Sequence, residues 1–168
     1  MVRSLSIGAL LAGFFVIAQS SMFVSIPAFL VIPDFALIVL VFFSIQNGSV
    51  QGAALGFIVG IGVDSISSAP LGYHSFALCL VAYLVGLLKG KIFIGRLVFP
   101  FLSLAIATLV KAIASNFLAL LAPEQSIGYD FMDPSLWIEL GANAALAPLL
   151  FLLISPLKRA LTASREDR

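Results

Sequence analysis

The sequence predicts an all-α integral membrane protein, a six-helix transmembrane bundle, on three observations. Of its 168 residues 61% are hydrophobic and only 10% charged, with a mean hydropathy of +1.16, too few polar groups to coat a water-soluble fold. Six apolar runs recur without the period-two alternation of a barrel strand. Lipid cannot satisfy backbone N–H and C=O groups, so such runs must be helices. Finally, Lys and Arg are confined almost entirely to alternate inter-run segments, as multi-pass proteins require.

The first run, residues 5–26, follows Arg3. It exceeds the apolar core of a signal peptide and no cleavage site is evident, so it reads as a retained helix. Pro27 and Pro33 bracket a short apolar link. The second run, residues 34–45, rises only about 18 Å as a helix, short of a hydrocarbon core of roughly 30 Å. The third, residues 50–64, is also short, so the two either both cross or together form a re-entrant hairpin. Asp34 follows Pro33 at a helix start, where a carboxylate suits the positive end of the macrodipole. The fourth run, residues 73–88, ends in Lys89, Lys91 and Arg96. The fifth, residues 97–121, is the longest and contains Lys111; the sixth spans residues 135–154. Residues 1–157 thus form one transmembrane domain, and residues 158–168 a cytoplasmic polar tail.

With six crossings, Arg3, the basic group after the fourth run, and Lys158, Arg159, Arg165 and Arg168 all fall on one side. Segments 27–33, 65–72 and 122–134 carry no Lys or Arg, while the last holds Glu124, Asp130 and Asp133. Both termini are therefore expected in the cytoplasm. A hairpin formed by the second and third runs would leave every other loop on its side.

Residues 52–74 concentrate the features of interest. Gly52, Gly56 and Gly60 recur every fourth residue and line one strip of a helix, permitting close backbone approach. That strip, with Pro70 and Gly72 in the following turn, serves either partner binding or packing within the bundle. Asp64 ends the strip, and an ionisable residue inside a span marks a functional or charge-compensated site. Counted from the cytoplasmic end, Asp64 and Lys111 both lie about 21 Å deep. Glu139 falls near that level, with Asn143 one turn below. An ion pair of Lys111 with Asp64 or Glu139 would remove the cost of an isolated charge.

No nucleophile–base pair, phosphate loop or zinc pattern is present, so neither an enzyme nor a bound cofactor is expected. His74 has no second His or Cys at ligand spacing and reads as a hydrogen-bonded interfacial residue, not as a metal ligand. The lone Cys79 lies in an apolar run and reads as a small hydrophobe. The scattered basic rim suits anionic lipid and not nucleic acid.

Pro33-Asp34 opening an apolar run, the glycine-spaced helix ending at Asp64, the segment SSAPLGYHSFAL, and Tyr83-Leu84-Val85-Gly86 before basic residues together resemble the bacterial rod shape-determining protein MreD family. The resemblance covers the whole chain in pattern, with its distinctive residues between Pro33 and Lys91. It implies a non-catalytic inner-membrane scaffold of the cell-elongation machinery that builds lateral peptidoglycan. Its implied partners are a membrane-anchored MreC-type protein and, through it, the glycan polymerase and transpeptidase. It also implies a fold similar to the substrate-binding subunits of energy-coupling-factor vitamin transporters. The alternative function is therefore a small-molecule transporter subunit, with Tyr73, His74, Trp137 and Glu139 around an outward pocket.

Overall fold

The structure, a computed structural model, describes residues 2–23, 33–67, 69–90, 98–121 and 128–161, and all regular structure among them is helical. Six principal helices follow in order: α1 (Val2–Phe23), α2 (Phe35–Asn47), α3 (Ser49–Ile66), α4 (Tyr73–Gly86), α5 (Val98–Leu121) and α6 (Pro134–Ile154). A 3-10 turn, Ser155–Leu157, leads into the one-turn α7 (Lys158–Leu161). Each expected run corresponds to one helix, with bounds shifted by a few residues. Residues 24–26, at the end of the first run, lie outside the described residues. Among the described residues three segments, Ser49–Ile66, Val98–Leu121 and Pro134–Leu157, are helical, long and apolar enough to cross a membrane.

The short α2 is the axis of the bundle. It contacts every other helix, and the five consecutive residues Leu37, Ile38, Val39, Leu40 and Val41 are at most 1% exposed. Five successive residues sweep more than a full turn, so over that stretch no face of α2 meets solvent or lipid; a helix apolar all round belongs in such a place. Its length now has a physical reason. Thirteen residues rise about 20 Å, and both ends are met by protein groups.

At the first end Asp34 caps the helix, its Oδ1 accepting from Leu37 N at 2.9 Å. At the other, Asn47 Nδ2 donates to Leu161 O at 2.9 Å, and Lys89 Nζ donates to Asn47 O at 2.9 Å. The start of the polar tail is thus folded against the bundle, with Leu161 fully buried. Residues 162–168 lie outside the described residues.

The outer helices wear the opposite pattern. Leu10, Phe14 and Ile17 share one face of α1 and are 64–75% exposed, and α5 and α6 present Phe117, Leu120, Leu149 and Leu152 in the same way. Large apolar side chains bare on several faces are what lipid-facing helices present.

The α3–α4 contact is the most intimate in the molecule, and glycine makes it so. A Cβ added at Gly56 would sit 2.6 Å from Leu78 O; at Gly52, 2.9 Å from Ala82 O; and at Gly60 it would collide with the backbone of Ser75. Gly86 answers from α4, where a Cβ would lie 2.5 Å from Ser49 Cα. Of the two readings of the strip, packing within the bundle is the one seen here. Gly86, at the far end of the interface, extends the strip in a way the four-residue spacing did not announce.

Candidate functional site

The polar side chains gather at the end of the bundle where α2 begins, in two neighbouring groups. The first is centred on Lys111 of α5. Its ammonium donates to Asp34 Oδ2 at 2.7 Å and to Glu139 Oε1 at 3.0 Å, and the three side chains are only 11–18% exposed. Asn143, one turn along α6 from Glu139, accepts from the Asp34 backbone N–H at 2.7 Å and donates to Thr108 Oγ1 at 3.1 Å. Thr108 Oγ1 in turn donates to Leu104 O at 2.9 Å. The start of α2 is therefore held by charge from α5 and α6 and by a neutral amide from α6.

Tyr129 closes this group. Its ring centroid lies 5.8 Å from Lys111 Nζ, its hydroxyl 3.5 Å from Glu139 Oε1, and its carbonyl accepts from Asn116 Nδ2 at 2.9 Å. Burial, only partly offset by the Lys111 ammonium, pushes the phenol above its ordinary 10.0, so at neutral pH it stays a donor. Next in the chain, Asp133 caps α6 by accepting from Ser135 N at 2.9 Å, which holds its carboxyl below 3.8.

The second group is centred on Asp64, with a side chain wholly shielded from solvent. Its Oδ1 accepts from His74 N at 2.8 Å and pairs with His74 Nδ1 at 2.9 Å. Its Oδ2 accepts from Gly72 N at 2.9 Å, Ser75 N at 3.2 Å and Ser75 Oγ at 2.8 Å. Five donors converge on one carboxylate. Gly72, the N-cap of α4, has φ +101° and no side chain to cap with, so Asp64 supplies the cap from α3. A carboxylate at the amino end of a helix is favoured by the macrodipole and by the orphan N–H groups.

The sequence expectations fare unevenly in this geometry. Glu139 is a partner of Lys111, as one of the two options held. Asp64 is not; it is satisfied by the turn just after its own helix. Asp34, explained from sequence by the helix macrodipole alone, is both a cap and the shorter of the two Lys111 contacts. His74 is a hydrogen-bonded residue at a helix start. Pro70 accepts from Tyr73 N at 3.1 Å within the turn that carries exposed Leu71 and Gly72. Among the described residues no group of three or more His, Cys, Asp or Glu is placed to hold a metal ion.

An all-helical protein with three segments, among the described residues, long and apolar enough to cross a membrane, and with a buried ammonium held by two carboxylates: that is the class these features define. The family model described as rod shape-determining protein MreD matches residues 2–156 of the chain. The chain belongs to that family, whose members determine rod shape. No curated protein and no solved structure matches, so the expected likeness to vitamin-transporter subunits gains no support from these comparisons.

Proposed function

We propose that this protein is a non-catalytic scaffold of the cell-elongation machinery in the bacterial inner membrane, crossing six times with both termini in the cytoplasm. Family membership carries the reading. The positions of the basic residues support the topology. Lys89 donates to Asn47 O at the end of the bundle where Asn47 in turn donates to Leu161 O, whereas the acidic residues Asp130 and Asp133 belong to the segment before α6. Because α2 runs from the Lys111 group to that basic end, six crossings fit better than a re-entrant hairpin.

A scaffold must hold a fixed shape, and the bundle is held from inside. The α3–α4 glycine seam excludes side chains between two backbones, and the Lys111 group ties α2, α5 and α6 together. With the glycine strip occupied by α4, the part of the expected docking surface that stays open to an MreC-type single-span partner is the adjoining turn, residues 70–72, where Leu71 is 79% exposed. The glycan polymerase and transpeptidase join through that partner.

Depletion in the native host, followed by microscopy, tests the role: cells are expected to lose rod shape and round up. Persisting rods with a growth defect cured by a vitamin would replace the scaffold reading with transport. Leu71→Asp tests the docking turn, since it should abolish co-purification with the partner while the protein accumulates normally. Undiminished co-purification would remove the turn from the interface.

A further inference from the structure

Two cavities adjoin at the polar end of the bundle. One, of about 350 Å³, reaches Asp34 and is otherwise walled largely by Val16, Val63, Ile66 and Leu78. The other, of about 470 Å³, reaches Tyr129, Asp130 and Asp133. Ser67, His74 and Lys111 line both, so the two are halves of one cleft with Lys111 on the shared wall. Volumes of this size are those of small-ligand sites.

The buried charges beside the cleft do not balance. Among the described residues Lys111 is the one ammonium within ion-pair distance of Asp34 and Glu139, at 2.7 and 3.0 Å, so a single cation serves two acidic side chains in a largely desolvated place. An uncompensated charge in such surroundings is costly, and a cation seated in the cleft would remove that cost. The lining indicates what kind. A small hydrated metal ion demands a shell of oxygens, yet the half that reaches Asp34 is mostly aliphatic. An alkyl stem suits those walls, with its cationic head beside the carboxylate. In the other half, the Tyr129 ring already has the Lys111 ammonium over its face, 5.8 Å from the centroid, the kind of contact aromatic rings make with ammonium and guanidinium groups.

We propose that this cleft is a binding site for an alkylammonium or alkylguanidinium group, with Asp34 as the carboxylate that faces it, Glu139 adding its charge from behind Lys111, and Val63, Ile66 and Leu78 against the stem. Asp130 and Asp133, both exposed, steer the cation toward it. The group belongs either to a free amine or to a Lys or Arg side chain of another protein. The proposal is independent of the rod-shape reading.

The test uses the full-length protein in nanodiscs of phosphatidylcholine, with its thermal unfolding followed as n-butylammonium chloride or the peptide acetyl-Ala-Lys-Ala-amide is added. Sodium chloride at equal ionic strength and butan-1-ol serve as controls. A saturable rise in Tm is expected with the amines and not with either control, as binding to the folded state alone requires. Glu139→Gln, which removes the surplus charge while keeping the Lys111–Asp34 pair, should weaken the apparent affinity about tenfold or more. Asp130→Asn lies on the surface, outside the core, and should weaken it about twofold, through screening of the approach. Tighter binding of the peptide assigns the site to a partner's side chain; equal or tighter binding of butylammonium assigns it to a free amine. Absence of saturation with both amines, an equal rise with sodium chloride, or identical titrations for wild type and both variants would overturn the proposal.

Discussion

Gly56→Ala is the sharpest probe of how this bundle is held together. The added methyl would stand 2.6 Å from Leu78 O, 2.9 Å from Leu78 C and 3.0 Å from Cys79 N. All three are backbone atoms of α4, so no rotamer change relieves the clash. Ordinary contact begins near 3.4 Å, and α4 must withdraw by about 1 Å, a gap at which packed atoms forfeit roughly a quarter to a half of their dispersion attraction. Overpacking of this sort costs about 1–3 kcal/mol, against which alanine returns up to about 1 kcal/mol of helix propensity. Gly62 provides the internal control, being in the same helix with nothing within 4 Å of an added Cβ. Gly62→Ala should therefore gain the propensity alone. Both gain the same propensity, so unfolding them in the same detergent should separate them by the overpacking cost alone, about 1–3 kcal/mol, Gly56→Ala being the less stable. Equal stability would refute the close-packed seam.

Other consequences follow from the polar groups and the topology. Lys111→Met strands two carboxylates and should cost about 3–5 kcal/mol in the same unfolding assay; adding Glu139→Gln should recover part of it and adding Asp64→Asn none. Asp64→Asn keeps a single acceptor oxygen where five donors converge. It should lower stability by about 2–3 kcal/mol and quicken proteolysis within residues 67–72. Val50, 74% exposed beside the α2–α3 turn, can report topology: in a Cys79→Ala background, Val50→Cys should be labelled from the cytoplasmic face alone. Labelling from the outer face would favour the hairpin.

The helices were legible because lipid imposes apolar runs, and in each case the run and the helix coincide within a few residues. The position of α2 was less so, since its shortness suggested an incomplete crossing. The missing inference was that a helix without any polar stripe needs protein on every side, and a helix enclosed by protein need not match the bilayer thickness. The pairing of Lys111 failed at Asp64 for a different reason. Depth along a helix says nothing about direction around it, and Asp64, two residues from the end of α3, finds donors 8 to 11 residues on. Asp34 was masked by a sufficient but partial explanation. Capping uses one carboxylate oxygen, and the second was left to be accounted for; a buried carboxylate has capacity for several donors. Its partner, 77 residues away, could not be chosen by spacing. The cleft beside Lys111 was legible only at Tyr73 and His74, because its walls come from all six principal helices and the turn before α6.

The central structural claim is that α2 is pinned within the bundle by the buried contact of Asp34 with Lys111, and a double-mutant cycle of Asp34→Asn and Lys111→Met measures it most directly. Equilibrium unfolding of wild type, both single variants and the double variant should give a coupling of about 1.5–3 kcal/mol, the double being much less destabilised than the sum of the singles. Additivity within about 0.5 kcal/mol would contradict the claim.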